Sequence, residues 1–98
     1  DELRIYSKYY GKLVYNNGIN VKYAYISKSL AKEKMGNLHG YLFFPMYYYS
    51  KKDTAWYYKD KEINKNSILL INYDEFNVNK FDLIKKVDNL LIVKPKGK

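Results

Sequence analysis

At 98 residues and 47% hydrophobic side chains, the chain has the length for one domain around one modest core, and too much apolar content for disorder. Its 18 Lys and Arg against 10 Asp and Glu leave a net charge of +8, which favours acidic or polyanionic partners over basic ones. No apolar run approaches the ~18 residues that a spanning helix needs, and the absence of Cys excludes disulfides and thiolate chemistry.

Leu3 to Tyr10 (LRIYSKYY) reads as a strand with Leu3 and Ile5 on one face. Asn16-Asn17-Gly18 follows, a sequence that supplies the positive φ angles of a tight hairpin. The expected arms are Lys12–Tyr15 and Ile19–Ile26, the second with Ile19, Val21, Tyr23 and Tyr25 on one face by period two. Ser27 or Ser29 caps a short helix over Leu30–Met35, which Gly36-Asn37 stops.

Residues 41–58 (YLFFPMYYYSKKDTAWYY) hold half of the chain's 18 aromatic residues. Both alternating faces of 41–49 are apolar, as in a covered strand, but Pro45 lacks an N–H and assigns it to an edge or a bulge. Ser50 to Asp53 reads as a turn to a partner strand, 54–59, which makes a second hairpin. Asp60-Lys61 marks a tight turn and 64–66 a loop. Ser67–Tyr73 (SILLINY) is the most core-like strand. Asn79 caps a second helix over 80–87, Asp88-Asn89 ends it, and Leu90–Val93 is the last strand. The sum is an α+β domain over 1–93: a mostly antiparallel, partly curled sheet of about six strands with two short helices packed on it. Residues 94–98 (KPKGK) form a basic tail. Residues 88–97 (DNLLIVKPKG) resemble the strand that opens the catalytic domain of some pseudouridine synthases; the match covers one strand and gives no residue here a role.

Catalytic signals are sparse. His39 is the single histidine, beside Gly40, and reads first as a loop or packing residue and second as a general acid or base. Without a second His or any Cys there is no zinc set, and neither a metal nor a cofactor is expected. Asp60 and Glu62 share a face if that segment is extended, and Asp74-Glu75 follows a core strand; turn and ion-pair roles are the commoner ones for such carboxylates. Five scattered glycines build no phosphate loop.

Tyrosine is the more informative signal. Thirteen Tyr against four Phe is an unusual ratio for a core, because each buried phenol needs a hydrogen-bond partner. Lys alternates with Tyr along the chain, so either Lys stems lie over rings as a cover, or rings and ammonium groups form a contact face. Leu42, Phe44, Met46 and Trp56 are assigned to the core, and Tyr47, Tyr49, Tyr58, Lys51, Lys52 and Lys59 to a binding face on the sheet. Seventeen of the 18 basic residues are Lys, which lack the guanidinium fork of base-specific readers, so an acidic protein surface ranks above nucleic acid as partner. A small-molecule ligand is not expected. The leading expectation is a non-catalytic binding module; the alternatives are a small basic endoribonuclease-like toxin using Lys, Tyr and His39, or a structural segment of a larger assembly. Asp1 in place of an initiator Met suits an exported, processed chain and a phage or intracellular one equally.

Overall fold

The computed structural model describes residues 1–97; Lys98, the last residue of the expected tail, lies outside them. The chain starts as a helix. In α1 (Glu2–Asn17), the Asp1 carboxylate accepts the Arg4 N–H at 2.9 Å and caps the first turn. Leu3, Tyr6, Ser7, Tyr10, Gly11 and Val14 recur at spacings of three and four, and the last four of these are buried. That periodicity overrides the expected strand at 3–10 and the hairpin arm at 12–15. The Gly18 N–H donates to the Val14 carbonyl at 2.8 Å, so Asn-Asn-Gly ends a helix here rather than turning a hairpin.

Strand β1 (Tyr23–Ser27) keeps only the second half of the expected 19–26 strand, and Ile19 is exposed. Helix α2 (Lys28–Met35) follows directly, capped as expected by Ser27, whose Oγ accepts the Leu30 N–H at 3.1 Å. It stops at Gly36, where φ is +56°, a conformation suited to glycine. A 3-10 turn, Gly36–Tyr41, leads into α3 (Phe43–Ser50).

Helix α3 replaces the expected strand at 41–49 and with it the second hairpin. Leu42, Met46 and Ser50, spaced by four, are fully buried while Phe44 and Tyr48 between them are exposed, a pattern that a helix gives and an alternating strand does not. Pro45 lies in the first turn, where its missing N–H leaves no helical bond unmade. The trace of α3 passes so close to α1 that a Cβ on Gly11 would stand 2.5 Å from the Tyr49 Cβ and 3.0 Å from the Met46 carbonyl oxygen.

The remaining strands are β2 (Asp53–Tyr57), β3 (Ser67–Asn72), β4 (Phe81–Val87) and β5 (Leu90–Pro95). They form one sheet in the order β2-β1-β3-β5-β4. β1 is parallel to both β2 and β3, whereas β3–β5 and β5–β4 are antiparallel. The α+β class stands, as a single domain, but the sheet is mixed, with five strands and three α-helices rather than six and two. The expected helix at 80–87 is β4, and Asp88-Asn89 is the tight turn to β5, with Asp88 at φ +50°. β5 runs past Val93 to Pro95, and the Lys96 N–H donates to the Lys80 carbonyl at 2.8 Å.

The helices cover one face of the sheet. Tyr10, Val14, Leu30, Met35, Leu42 and Met46 pack there on Ile26, Ile68, Leu70 and Ile92. The opposite face carries a smaller cluster of Tyr57, Leu69, Ile71, Phe81, Leu91 and Val93. No helix covers it. Because β2, β3 and β4 all run the same way, the chain must return between them, and the segments 58–66 and 73–80 do so, placing Ile63 and Phe76 on this second cluster. β3 is buried at every position from Ser67 to Ile71 because both its faces are covered.

Candidate binding surfaces

Seating Leu42, Met46 and Ser50 against the core turns the other side of α3 outward. Phe44 is 78% exposed, Tyr48 61%, Tyr47 52%, and Tyr41 just before the helix 67%. Four aromatic side chains within two turns, each more than half in water, exceed the scattered apolar residues of an ordinary surface. Phe44 and Tyr48 meet edge to face with centroids 5.9 Å apart, which gives the ridge some order of its own. Leu3 and Pro45 floor the shallow grooves between this ridge and α1, and Arg4 borders the groove beside Tyr48. Phe44, expected in the core, is therefore the most exposed member. It lies on the outer side of a helix, whereas a strand would have paired it with Leu42 and Met46.

The six expected contact residues do not lie on one sheet face. Tyr47 and Lys51 share the outer side of α3; the Lys51 N–H donates to the Tyr47 carbonyl at 2.9 Å, and Lys51 takes the left-handed cap conformation at φ +60°. Tyr49 is half-buried at the α1 crossing. Lys52 is half-buried, with its Nζ donating to the Val21 carbonyl at 2.9 Å. Tyr58 and Lys59 sit beyond the end of β2, where the Lys61 ammonium stands 5.4 Å over the Tyr58 ring. The Tyr and Lys residues are thus divided among the ridge, the α1 junction and the helix-free side.

The groups that an enzyme reading would need are apart. His39 packs its ring on Trp56 at 5.4 Å, and its Nδ1 bonds the Gly36 carbonyl at 2.8 Å, on the helix side of the sheet. Glu62 lines a cleft with Tyr25 on the helix-free side. Glu75 is occupied structurally: its carboxylate accepts the Asn72 N–H at 2.8 Å and the Ser29 hydroxyl at 3.3 Å. Among the described residues, no group of three His, Asp or Glu side chains could hold a metal ion.

Two clefts open between the return segments on the helix-free side. One, of about 620 Å³, is lined by Tyr25, Lys61, Glu62, Ile63, Asn64, Lys65 and Lys80. Its neighbour, of about 710 Å³, has Tyr57, Lys59, Asp60, Asp74 and Glu75 in its walls and shares Lys80. Lys80 and Tyr25 escape the sequence reading, Lys80 because 80–87 takes a helical pattern there. The turn-forming run Asn77-Val78-Asn79 is the local signal for its true place.

At the far end of the molecule the Tyr9 hydroxyl donates to the Asp88 carboxylate, and the Tyr73 hydroxyl to the Asp88 carbonyl at 2.8 Å, tying the β4–β5 turn to α1. Burial, then the bond to Asp88, pushes the Tyr9 phenol up to about 12. Burial raises the Tyr10 phenol further. No family model, no curated protein and no solved structure matches the chain.

Proposed function

We propose that the chain is a binding module that docks an acidic protein surface on the α3 ridge. One observation carries the proposal: Tyr41, Phe44, Tyr47 and Tyr48 stand in water on a helix whose other side is locked into the core. Tyr and Phe present large, rigid contact area at small entropic cost, which suits an interface anchor. The chemistry of the partner follows from the charge of the chain. Arg4 and Asp1 both border the groove beside Tyr48 and Lys51 caps the end of α3, but the chain as a whole carries +8, so an acidic surface is complementary and a second copy of this chain is repelled. Of the six residues expected from sequence, Tyr47 and Lys51 belong to this surface.

Selection of displayed random peptides on the immobilised chain tests the proposal. Enriched peptides should combine Asp or Glu with aliphatic or aromatic anchors, and their binding should fail in the Phe44→Ser/Tyr48→Ser double variant. Enrichment without acidic residues, or binding indifferent to that variant, overturns it.

A further inference from the structure

We infer that the 620 Å³ cleft on the helix-free side is a phosphoryl-binding site centred on Lys80. Three lysines, Lys61, Lys65 and Lys80, line it with one acidic residue, Glu62, so the cleft is cationic where its neighbour, with Asp60, Asp74 and Glu75, is not; at its rim the Lys65 ammonium donates to the Lys96 carbonyl at 3.5 Å and the Lys61 ammonium stands over the Tyr58 ring. Lys80 is held in place rather than waving in solvent. Its backbone is fixed on both sides, the N–H donating to the Asn77 carbonyl at 2.9 Å and the carbonyl accepting the Lys96 N–H at 2.8 Å. Its ammonium lies over two buried rings, 5.3 Å from Tyr57 and 5.5 Å from Phe81, and donates to the Tyr57 hydroxyl at 3.3 Å; Tyr57 is a wall of the neighbouring cleft, so Lys80 stands on the boundary that the two clefts share. An ammonium has three hydrogens, so two remain for another acceptor.

A packing role explains the Lys80 stem, which covers the second core cluster, but it leaves the charge without a counter-ion. Among the described residues the one ion pair is Lys96 with Asp82, and no carboxylate lies within bonding distance of Lys61, Lys65 or Lys80. A positioned cation with free donors, two further cations on the same walls and a Tyr25 phenol beside them is complementary to a compact dianion or a run of diesters. The Tyr25 oxygen accepts the Asn64 N–H at 2.9 Å, and that bond gives the cleft wall a reporter.

The test is a titration of the full chain with pyrophosphate and, separately, with a short oligoribonucleotide lacking terminal phosphates, each followed by amide and lysine-ammonium NMR shifts. Saturable shifts at Asn64, Lys61 and Lys80 are expected. Pyrophosphate alone binding identifies a terminal phosphoryl ligand, and binding of both identifies a nucleic-acid backbone. Lys61→Gln/Lys65→Gln should weaken binding about tenfold or more, the size expected for losing charge-assisted bonds. Lys80→Met, which keeps the stem over the rings, should do the same. The control Lys8→Gln/Lys12→Gln on α1 should change little. The inference is overturned by an absence of saturable shifts at millimolar probe, or by equal weakening in the α1 control, which would mark attraction to net charge alone. Neither outcome bears on the α3 ridge, which lies on the other side of the sheet.

Discussion

Gly11 stands where α1 and α3 cross, and the space for a side chain there is missing. A methyl at that position would press on the Tyr49 Cβ and on a backbone carbonyl, neither of which can swing aside. Gly11→Ala should therefore cost about 1–3 kcal/mol through overpacking, offset only in part by about 1 kcal/mol of helix propensity. Urea denaturation at unchanged slope measures it; a variant as stable as the parent would mean that the helices do not approach so closely. The phenols of Tyr9 and Tyr10 make a second prediction at this scale. Both are raised above the ordinary tyrosine value of 10.0, so the folded chain holds protons that the unfolded chain releases. Their contribution to stability is whole below about pH 10 and is lost as pH climbs towards 12. Tyr9→Phe/Tyr10→Phe should flatten that alkaline loss, and an identical alkaline transition in the variant would sink the assignment. Neither feature is legible in the sequence, because the near neighbours of Gly11, and the Asp88 that Tyr9 bonds, lie far along the chain.

Among the elements, those whose signals are local read correctly and those whose signals are shared read wrongly. α2 is bounded by a Ser27 cap and a Gly36 stop, both chemically specific. Ser27→Ala should cost about 1 kcal/mol for the lost cap, read from the same urea midpoint; no change would show that the cap is idle. β3 is legible because a strand covered on both faces needs an unbroken apolar run. In contrast, Asn-Asn-Gly can end a helix or turn a hairpin, and only the spacing of Leu3, Tyr6, Tyr10 and Val14 decides between them. Residues 42–49 are apolar at nearly every position, so no period stands out until the core selects Leu42 and Met46. β4 hides for another reason: a bulge at Ile84 between Leu83 and Lys85 breaks its alternation, and an edge strand buries little. Of the ridge aromatics the sequence reading singles out Tyr47 alone and assigns Phe44 to the core, because it reads the segment as a strand. The test at this scale is thermal: Phe44→Ser/Tyr48→Ser should leave the unfolding temperature within a degree or two, since exposed positions contribute within about ±0.5 kcal/mol. A large drop would return those rings to the core.

Over the whole molecule, the sheet divides the surface into two unlike sides. On one, helices cover the core and α3 shows an aromatic ridge; on the other, loops alone cover a smaller cluster and the lysines gather. Amide hydrogen exchange should rank the parts accordingly, slowest at Ile68–Ile71 in β3 and fast through 58–66 and along the free edge of β4. Equal protection in β3 and β4 would contradict the strand order.

The place of β3 has a consequence for how the chain acquires its structure. On one side β3 takes β1 from the first third of the chain, on the other β5 from the end, and nothing else joins the N-terminal parallel strands to the C-terminal hairpin within the sheet. The β4–β5 hairpin closes through two residues and can form in microseconds, whereas Tyr23 must find Ser67 across the whole helical segment, a far larger loss of chain entropy. The rate-limiting event is then the docking of β1 on β3, so truncating Leu91, in a hairpin already formed at that step, should slow refolding with little effect on unfolding, while truncating Ile68, whose contacts with β1 form during the step, should divide its effect between the two rates.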